Sequence, residues 1–570
     1  MKLSRINTLA LCLAASSLLG CSKSFLDTKI DSSQTIETLN SNYSTLISFA
    51  NAPYNYLRNE FTMVDNNLFA PVSDEAAQTA TGSSSVVLFN NGSYNSASNP
   101  DNYYSSYYTG IRAANYFLEQ SVDYKRLLSV NRDTISAAAK INYNNDVVNM
   151  GWYRGEAHIM RAWYYFELSK RYGGVPLVTK ALTINDDLNI PKAPYDSIIN
   201  FIVNEVDTYK DSLQVNWKTS AFTNNEGRFS KGAALALKAR ALLYAASPLH
   251  NNGNDVTKWQ KAAAAANDLI VFATAAGGGG YALDANYGNY FIGSAMLTAA
   301  NGSNETIWAI RYTASNTLET NNYPIATPGG KSGVTPSDNL VADYEYKGTP
   351  DPTDPYKNRD PRLAASIVTN NSSWTGRTID ESPTGADNMS QVNASRTGYY
   401  LKKFLTNSLN LTQGGTAVHN WPVFRYGEML LLYAEAMNEA YGPDNNNGYA
   451  RTAREALNLV RNRTGVAMPA VTVAIAADQI SFRDAVKHER RIELAFENYR
   501  YWDLLRWKDA EKVLNQPIKG VTVSKNGAAF VYGTATVENR VFDASKMYYY
   551  PFPQSEIAKS KGTLIQNPGW

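Results

Sequence analysis

The chain has 570 residues, 53 of them Lys or Arg and 51 Asp or Glu, with 44% hydrophobic and 18% charged side chains. This is a globular balance, too rich in apolar residues for a disordered chain and too long for one typical core. Its charge is too close to neutral for nucleic acid or another polyanion to be a bulk electrostatic partner. Tyrosine is overused, with 38 Tyr against 19 Phe and 10 Trp. An apolar ring with a polar tip suits wet surfaces that grip polar ligands.

Residues 1–20 predict a lipoprotein signal. Lys2 and Arg5 precede the apolar run "INTLALCLAASSLLG", which is too short to span a membrane as a mature helix. Leu18 and Gly20 ahead of Cys21 resemble a bacterial lipobox, so Cys21 is expected to be lipidated and to become the N-terminus. Several acyl chains on one cysteine would anchor an otherwise soluble body. Loss of the signal removes Cys12, Lys2 and Arg5, leaving 51 basic and 51 acidic side chains. The mature chain then has no thiol for a disulfide, a nucleophile or a thiolate metal site.

A polar leader is expected over 21–33, then a helical scaffold over 34–275 that carries ligand-site loops at about 64–106. The spacing predicts helices at 107–122, 155–178, 194–213, 230–248 and 259–274. Gly173-Gly174 and Pro176 stop the second, and Ser230 caps the fourth. Helix, short turn, helix, with alanines at the contacts, resembles tetratricopeptide architecture. From 276 to 423 the chain turns rich in Gly, Asn, Pro and Tyr and predicts loops and small strands. Helices return within 424–570, at 426–442, 449–465 and 481–514. The fold class expected is mainly α, a helix-pair scaffold with a large irregular part.

The stretch "ERRIELAFENYRYWDLLRWK" (489–508) reads as scaffold. On one helix Ile492, Ala495, Phe496 and Tyr499 make a single apolar stripe, and Glu497–Arg500 and Asp503–Arg506 make i,i+3 pairs.

The search for chemistry is mostly negative. "GGKS" (329–332) lacks the first glycine of a phosphate loop, where Ile325 stands. His158, His250, His419 and His488 are scattered, and neither a metal site nor a cofactor is expected. Asp74-Glu75 is the pair to nominate for acid–base hydrolysis, although adjacent loop carboxylates more often serve as polar contacts. The positive signal is aromatic. Tyr94, Tyr103, Tyr104, Tyr107 and Tyr108 stand among Asn95 and other Asn, Ser and Asp. Tyr281, Tyr287 and Tyr290 recur in the Gly-rich stretch, and Trp374 sits in polar "NNSSWTGR". Rings stack on the C–H faces of sugars while Asn, Asp and Arg take the hydroxyls.

Several segments together resemble one family. They are the lipobox with "SFLD", "GEAHIMRAWYYFELSKRYGGVPLV", "RDPRLAASI", "GYYLKKF", "WPVFRYGEMLLLYAEAMNEA", "ERRIELAFENYRYWDLLRWK" and the terminal "YYYPFPQSEI…QNPGW". In this order they are similar to the SusD/RagB family of Bacteroidetes outer-membrane lipoproteins. The resemblance implies a tetratricopeptide-like base with a loop-rich ligand site. It implies a non-enzymatic lid on a SusC-like TonB-dependent transporter, capturing oligosaccharides or, in the RagB branch, peptides. By the resemblance Asp74 and the tyrosines of 94–104 lie near frequent ligand contacts, and Arg377 and Tyr399 in a region that closes the site. The ligand-binding residues expected are Asp74, Asn95, Tyr103, Tyr104, Tyr290, Trp374, Arg377 and Tyr399. The function expected is glycan capture at the cell surface, with peptide capture or a surface glycosidase as alternatives. Outward display rests on the resemblance, since "CSKSFLD" offers only Asp27 as an acidic export signal.

Overall fold

In the computed structural model, residues 42–80, 84–130, 132–217, 225–293, 295–297 and 302–570 are described. Cys21 and the leader lie outside them. Helix makes up 43% and strand 10% of the structure, so the fold is mainly α. The long helices are α1 (Tyr43–Asn51), α2 (Tyr104–Gln120), α3 (Ala137–Tyr172), α4 (Tyr195–Tyr209), α5 (Lys231–Ala246), α6 (Val256–Thr274), α7 (Tyr426–Tyr441), α8 (Ala453–Arg461), α9 (Gln479–Glu493) and α10 (Arg500–Trp507). Consecutive helices pack side by side: α2 on α3, α3 on α4, α5 on α6 and α7 on α8.

Local chemistry sets the ends. Gly173, at φ +72°, closes α3 where a side chain would be strained. The Ser230 hydroxyl accepts from the Ala233 N–H (3.3 Å) and caps α5. Thr452 and Glu455 form a reciprocal capping box on α8. Small residues set the packing distance. Ala233, Ala236, Ala262 and Ala266 are buried on α5 and α6, and a Cβ at Gly110 of α2 would lie 2.4 Å from the Tyr164 ring on α3. Helix α6 also packs on α7. The span 276–423 therefore leaves and re-enters the scaffold between two spatial neighbours.

The strands form small antiparallel pairs. β1 (Ala76–Gln78) pairs with β3 (Val334–Pro336), and β2 (Thr306–Arg311) with β4 (Asn420–Arg425). β5 (Ile518–Asn526) and β6 (Ala529–Glu538) make a hairpin that turns at Gly527, φ +62°.

The 489–508 stretch is scaffold, but not as one helix. It breaks between α9 and α10, where Phe496 (φ 64°) and Asn498 (φ 61°) are left-handed. The break is held from outside. Phe496 N–H donates to Glu75 Oε1 (3.1 Å), and Asn498 Oδ1 accepts from Phe69 N–H (3.2 Å). Of the two expected i,i+3 pairs, Asp503–Arg506 forms (2.8 Å). Glu497 instead meets Arg425 and Lys403 (2.7 Å each), and Arg500 meets Asp74 (2.8 Å). Apart from the exposed Lys508, the charges of this stretch are buried or half-buried and stitch distant segments together.

Candidate ligand-binding site

The β1–β3 pairing joins the loop after α1 to the irregular middle span. Thr79 N–H donates to Gly333 O (3.0 Å), and the Thr79 hydroxyl donates to Ser332 O. Asn321 Nδ2 reaches Asn66 O (2.9 Å), and Arg396 Nη1 reaches Gln78 O (3.0 Å). Asp65, at φ 53°, organises the loop. It accepts from Ser85 N–H (3.0 Å), the Ser84 hydroxyl (2.7 Å), Val86 N–H (3.2 Å) and Gln78 Nε2 (3.2 Å). Burial would raise its carboxyl, but these donors outweigh that and hold it below its ordinary value.

Beside this junction, Thr375 (φ 47°) and Gly376 (φ 80°) turn a tight hairpin from Ser373–Trp374 into Arg377–Thr378. The turn presents Arg377, whose side chain is 26% exposed. Asp387 grips it through two bonds (2.5 and 2.8 Å), and a third runs to the Thr327 hydroxyl (3.3 Å). A guanidinium clamped in this way keeps its remaining donors in a fixed direction.

The β5–β6 hairpin closes the other side. Lys525 pairs with Asp380 (2.5 Å) and sits 5.0 Å over the Phe530 ring. Phe530 and Tyr532, two apart on β6, share one side, and both are partly exposed. Asn370 Nδ2 donates to the Tyr532 hydroxyl (3.2 Å). Tyr356, also partly exposed, stands edge-on to Tyr532 (5.6 Å, 81°) and to Tyr399 (6.0 Å, 84°). The Tyr399 hydroxyl donates to Asp338 Oδ1 (2.8 Å), and Thr534 donates to Asp338 Oδ2 (3.3 Å). Three ring surfaces thus border Asp338, Thr534 and Lys525, with the buried Asn370 holding the Tyr532 hydroxyl from behind, a lining able to stack on a polar ring and bond its hydroxyls.

The eight residues nominated from sequence divide. Arg377 lies at the surface of this face. Tyr399 belongs to it but is only 1% exposed and supports Tyr356 from beneath. Trp374 faces inward, edge-on to Tyr323 (5.2 Å, 85°), and offers no surface to a ligand. Its polar neighbours misled because a strand alternates: Ser373 points out and Trp374 in. Tyr290 is buried with its hydroxyl against Thr306 (3.0 Å), and Tyr104 is buried against Tyr172 and Phe552. Asn95, Tyr103 and Tyr104 lie elsewhere, beside the terminal segment, where Gln554 N–H donates to Ser96 O (2.9 Å). Asn95 is exposed, but its Oδ1 is occupied by Ala97 and Ser98 N–H (3.0 and 3.1 Å). Tyr103 is half-buried under the Arg58 guanidinium (4.3 Å).

Asp74 is corrected from ligand contact to internal ion pair. It is buried between Arg500 (2.8 Å) and Arg491. Burial would raise its carboxyl, but the two guanidiniums hold it well below the usual carboxylate range. Its neighbour behaves oppositely. Burial, with the Asp74 charge adding to it, pushes the Glu75 carboxyl up to about 7 from 4.5. A raised carboxyl lends stability below its unfolded value and loses it as pH climbs through 7. Glu75→Gln should therefore match the native protein at pH 4. At pH 8 it should be more stable, on the order of 3 kcal/mol for such a shift, read as a urea midpoint against pH.

Sequence reasoning missed Tyr356, Tyr532, Phe530, Asp338 and Asn370. The available signal was "FVYGTATV", whose period-2 rings mark one side of a strand. Among the described residues no cluster of three or more His, Cys, Asp or Glu is placed to hold a metal, and no helix is long and apolar enough to cross a membrane.

Comparison with known proteins gives consistent matches. A family model described as SusD family matches residues 304–570, and one described as starch-binding associating with outer membrane matches residues 24–243. A SusD-like protein of Formosa agariphila is 28% identical over 384 residues, 65% of this chain and 69% of its own. The structure of a SusD-like protein from Bacteroides fragilis superposes with a TM-score of 0.74 at 24% identity, covering 94% of this chain and 98% of that one. A SusD-like carbohydrate-binding protein of the same species gives 0.72 at 25% identity, covering 92% and 99%.

Proposed function

The chain belongs to the SusD family, and from that premise we propose that it captures oligosaccharides on the face between the Arg377 turn and the β5–β6 hairpin. The captured glycan passes to a SusC-like TonB-dependent transporter, and the protein itself catalyses no reaction. Lipid on Cys21 holds it to the outer membrane, facing the cell exterior. The observation that carries the ligand class is the Tyr356–Tyr532 pair, partly exposed beside Asp338. The carbohydrate-binding relative from B. fragilis supports the same class.

The test is calorimetry against a panel of neutral oligosaccharides and mixed peptides. One glycan class should bind, and Tyr356→Ala or Tyr532→Ala should weaken it about ten-fold, the worth of one well-stacked ring. The melting temperatures should not fall in step. A panel in which only peptides bind would move the ligand class. Product released from a glycan by purified protein would overturn the non-catalytic reading.

A further inference from the structure

On the helical scaffold a second cleft of about 450 Å³ opens between the short helix Tyr124–Leu127, α3 and the end of α4. The volume lies in the range of small-ligand sites, roughly 300–1,000 Å³. Two glycines shape the α3 wall. Gly155 lets the turn at Ser212 approach, since a Cβ there would lie 3.1 Å from Ser212 O, and a Cβ at Gly151 would meet the Tyr124 hydroxyl at 3.5 Å. Three partly exposed rings line the space, Tyr124, Trp152 and Tyr209. Tyr209 is stiffened by stacking on His158 (3.4 Å, 12°), and Trp152 stands edge-on to Trp217 (6.0 Å, 88°).

The charge of the cleft is one-sided. Among the described residues Lys125 and Arg154 line it, and no carboxylate does. Arg154 is half-buried and donates only to neutral oxygens, Leu118 O (2.8 Å) and the Ser121 hydroxyl (2.6 Å). The acids of the flanking segments are taken elsewhere: Asp123 by Arg126 (2.6 Å), Asp146 by Arg132 (2.7 Å), Glu205 by Arg161 (2.6 Å) and Asp211 by Lys231 (2.6 Å). A partly desolvated guanidinium without a counter-charge favours an incoming carboxylate, which it can bind through two parallel bonds.

We propose that this cleft is a second ligand site, for a small ring-shaped carboxylate of the hexuronic acid type. The carboxylate meets Arg154, a face of the sugar lies against the rings, and the Tyr124, Tyr209 and Ser212 hydroxyls serve the ring hydroxyls. The site is independent of the loop face and stands or falls separately from the function proposed there.

The test uses the mature chain, with D-glucuronate and D-galacturonate as probes and D-glucose and benzoate as comparators, read by calorimetry. At least one uronate should bind in the millimolar range or tighter, with glucose, which lacks the carboxylate, at least ten-fold weaker, the worth of a charge-assisted bond, and benzoate, which keeps the carboxylate but lacks the hydroxyls, also about ten-fold weaker. Arg154→Gln should weaken the uronate about ten-fold or more, Arg154→Lys should restore part of the loss, and Tyr532→Ala should leave it unchanged. Trp152→Ala should weaken it while Trp152→Phe retains it, with circular dichroism melts confirming that each variant folds. Absence of saturable uronate binding, or glucose or benzoate binding as tightly, would overturn the assignment. So would loss of uronate binding in Tyr532→Ala with retention in Arg154→Gln, which would place the probe on the loop face.

Discussion

Replacing Arg425 with alanine should lower the unfolding free energy by about 3–5 kcal/mol, the usual cost of stranding buried charges. Arg425 ends β4, has no exposed surface and holds three carboxylates, Glu305 (2.6 Å), Glu493 (2.7 Å) and Glu497 (2.7 Å). Those acids come from the approach to β2, from α9 and from the break before α10, so one guanidinium ties the irregular middle span to the C-terminal scaffold. Arg463 and Lys403 share the same acids and keep part of the network paired, which places the loss within that range rather than above it. Arg425→Lys should recover only a fraction, because one ammonium cannot meet three carboxylates at a guanidinium's angles. The urea midpoint reads the effect, and a loss below about 1 kcal/mol, the scale of an exposed pair, would contradict it. Acid acts on the same network. Burial would raise the Glu493 carboxyl, but Arg463, Arg425 and Arg362 outweigh it and hold it at about 2. That contribution is present above the unfolded carboxyl near 4.5 and is lost as pH falls through 2.

Asp74→Asn should cost about 3 kcal/mol or more, by the same stranding of buried charge, and leave glycan affinity unchanged. Arg491 would keep a partner in Asp343 (2.6 Å), whereas Asp74 is the carboxylate that Arg500 pairs with. With the Asp74 charge gone, the neighbouring Glu75 loses one of the causes that raise it, so part of the loss should return above pH 7, where Glu75 ionises. Thermal melts at pH 5 and pH 8, with calorimetry on the same preparations, separate the two effects. A variant as stable as the native protein that no longer binds glycan would return Asp74 to the site.

Much of the scaffold is legible in the sequence because helices announce their ends locally. Ser230 and Gly173 cap or stop helices where expected, and the alanines of α5 and α6 meet where small residues let helices approach. The break at Phe496 was not legible. Its left-handed backbone is stabilised by Glu75, more than four hundred positions away, and no local signal carries that. Rings in polar stretches were the weakest guide. Tyr290 and Trp374 have polar neighbours in sequence but fill the core, since a short strand or turn can bury one side chain and expose the next. Tyr532 and Phe530 were overlooked because the hairpin that carries them lies more than a hundred residues beyond the loops it completes. Arg377 was named by the family resemblance alone, and the tight Thr-Gly turn that leaves it partly exposed is seen only in the structure.

On the proposed reading, glycan meets the loop face and leaves the scaffold untouched. Hydrogen exchange of the protein, with and without the glycan that binds in calorimetry, decides between the two surfaces. Protection is expected in 64–80, 321–332, 354–381 and 524–534, with α3 and α5 unchanged. Protection confined to the helices, with those four segments unaltered, would contradict it.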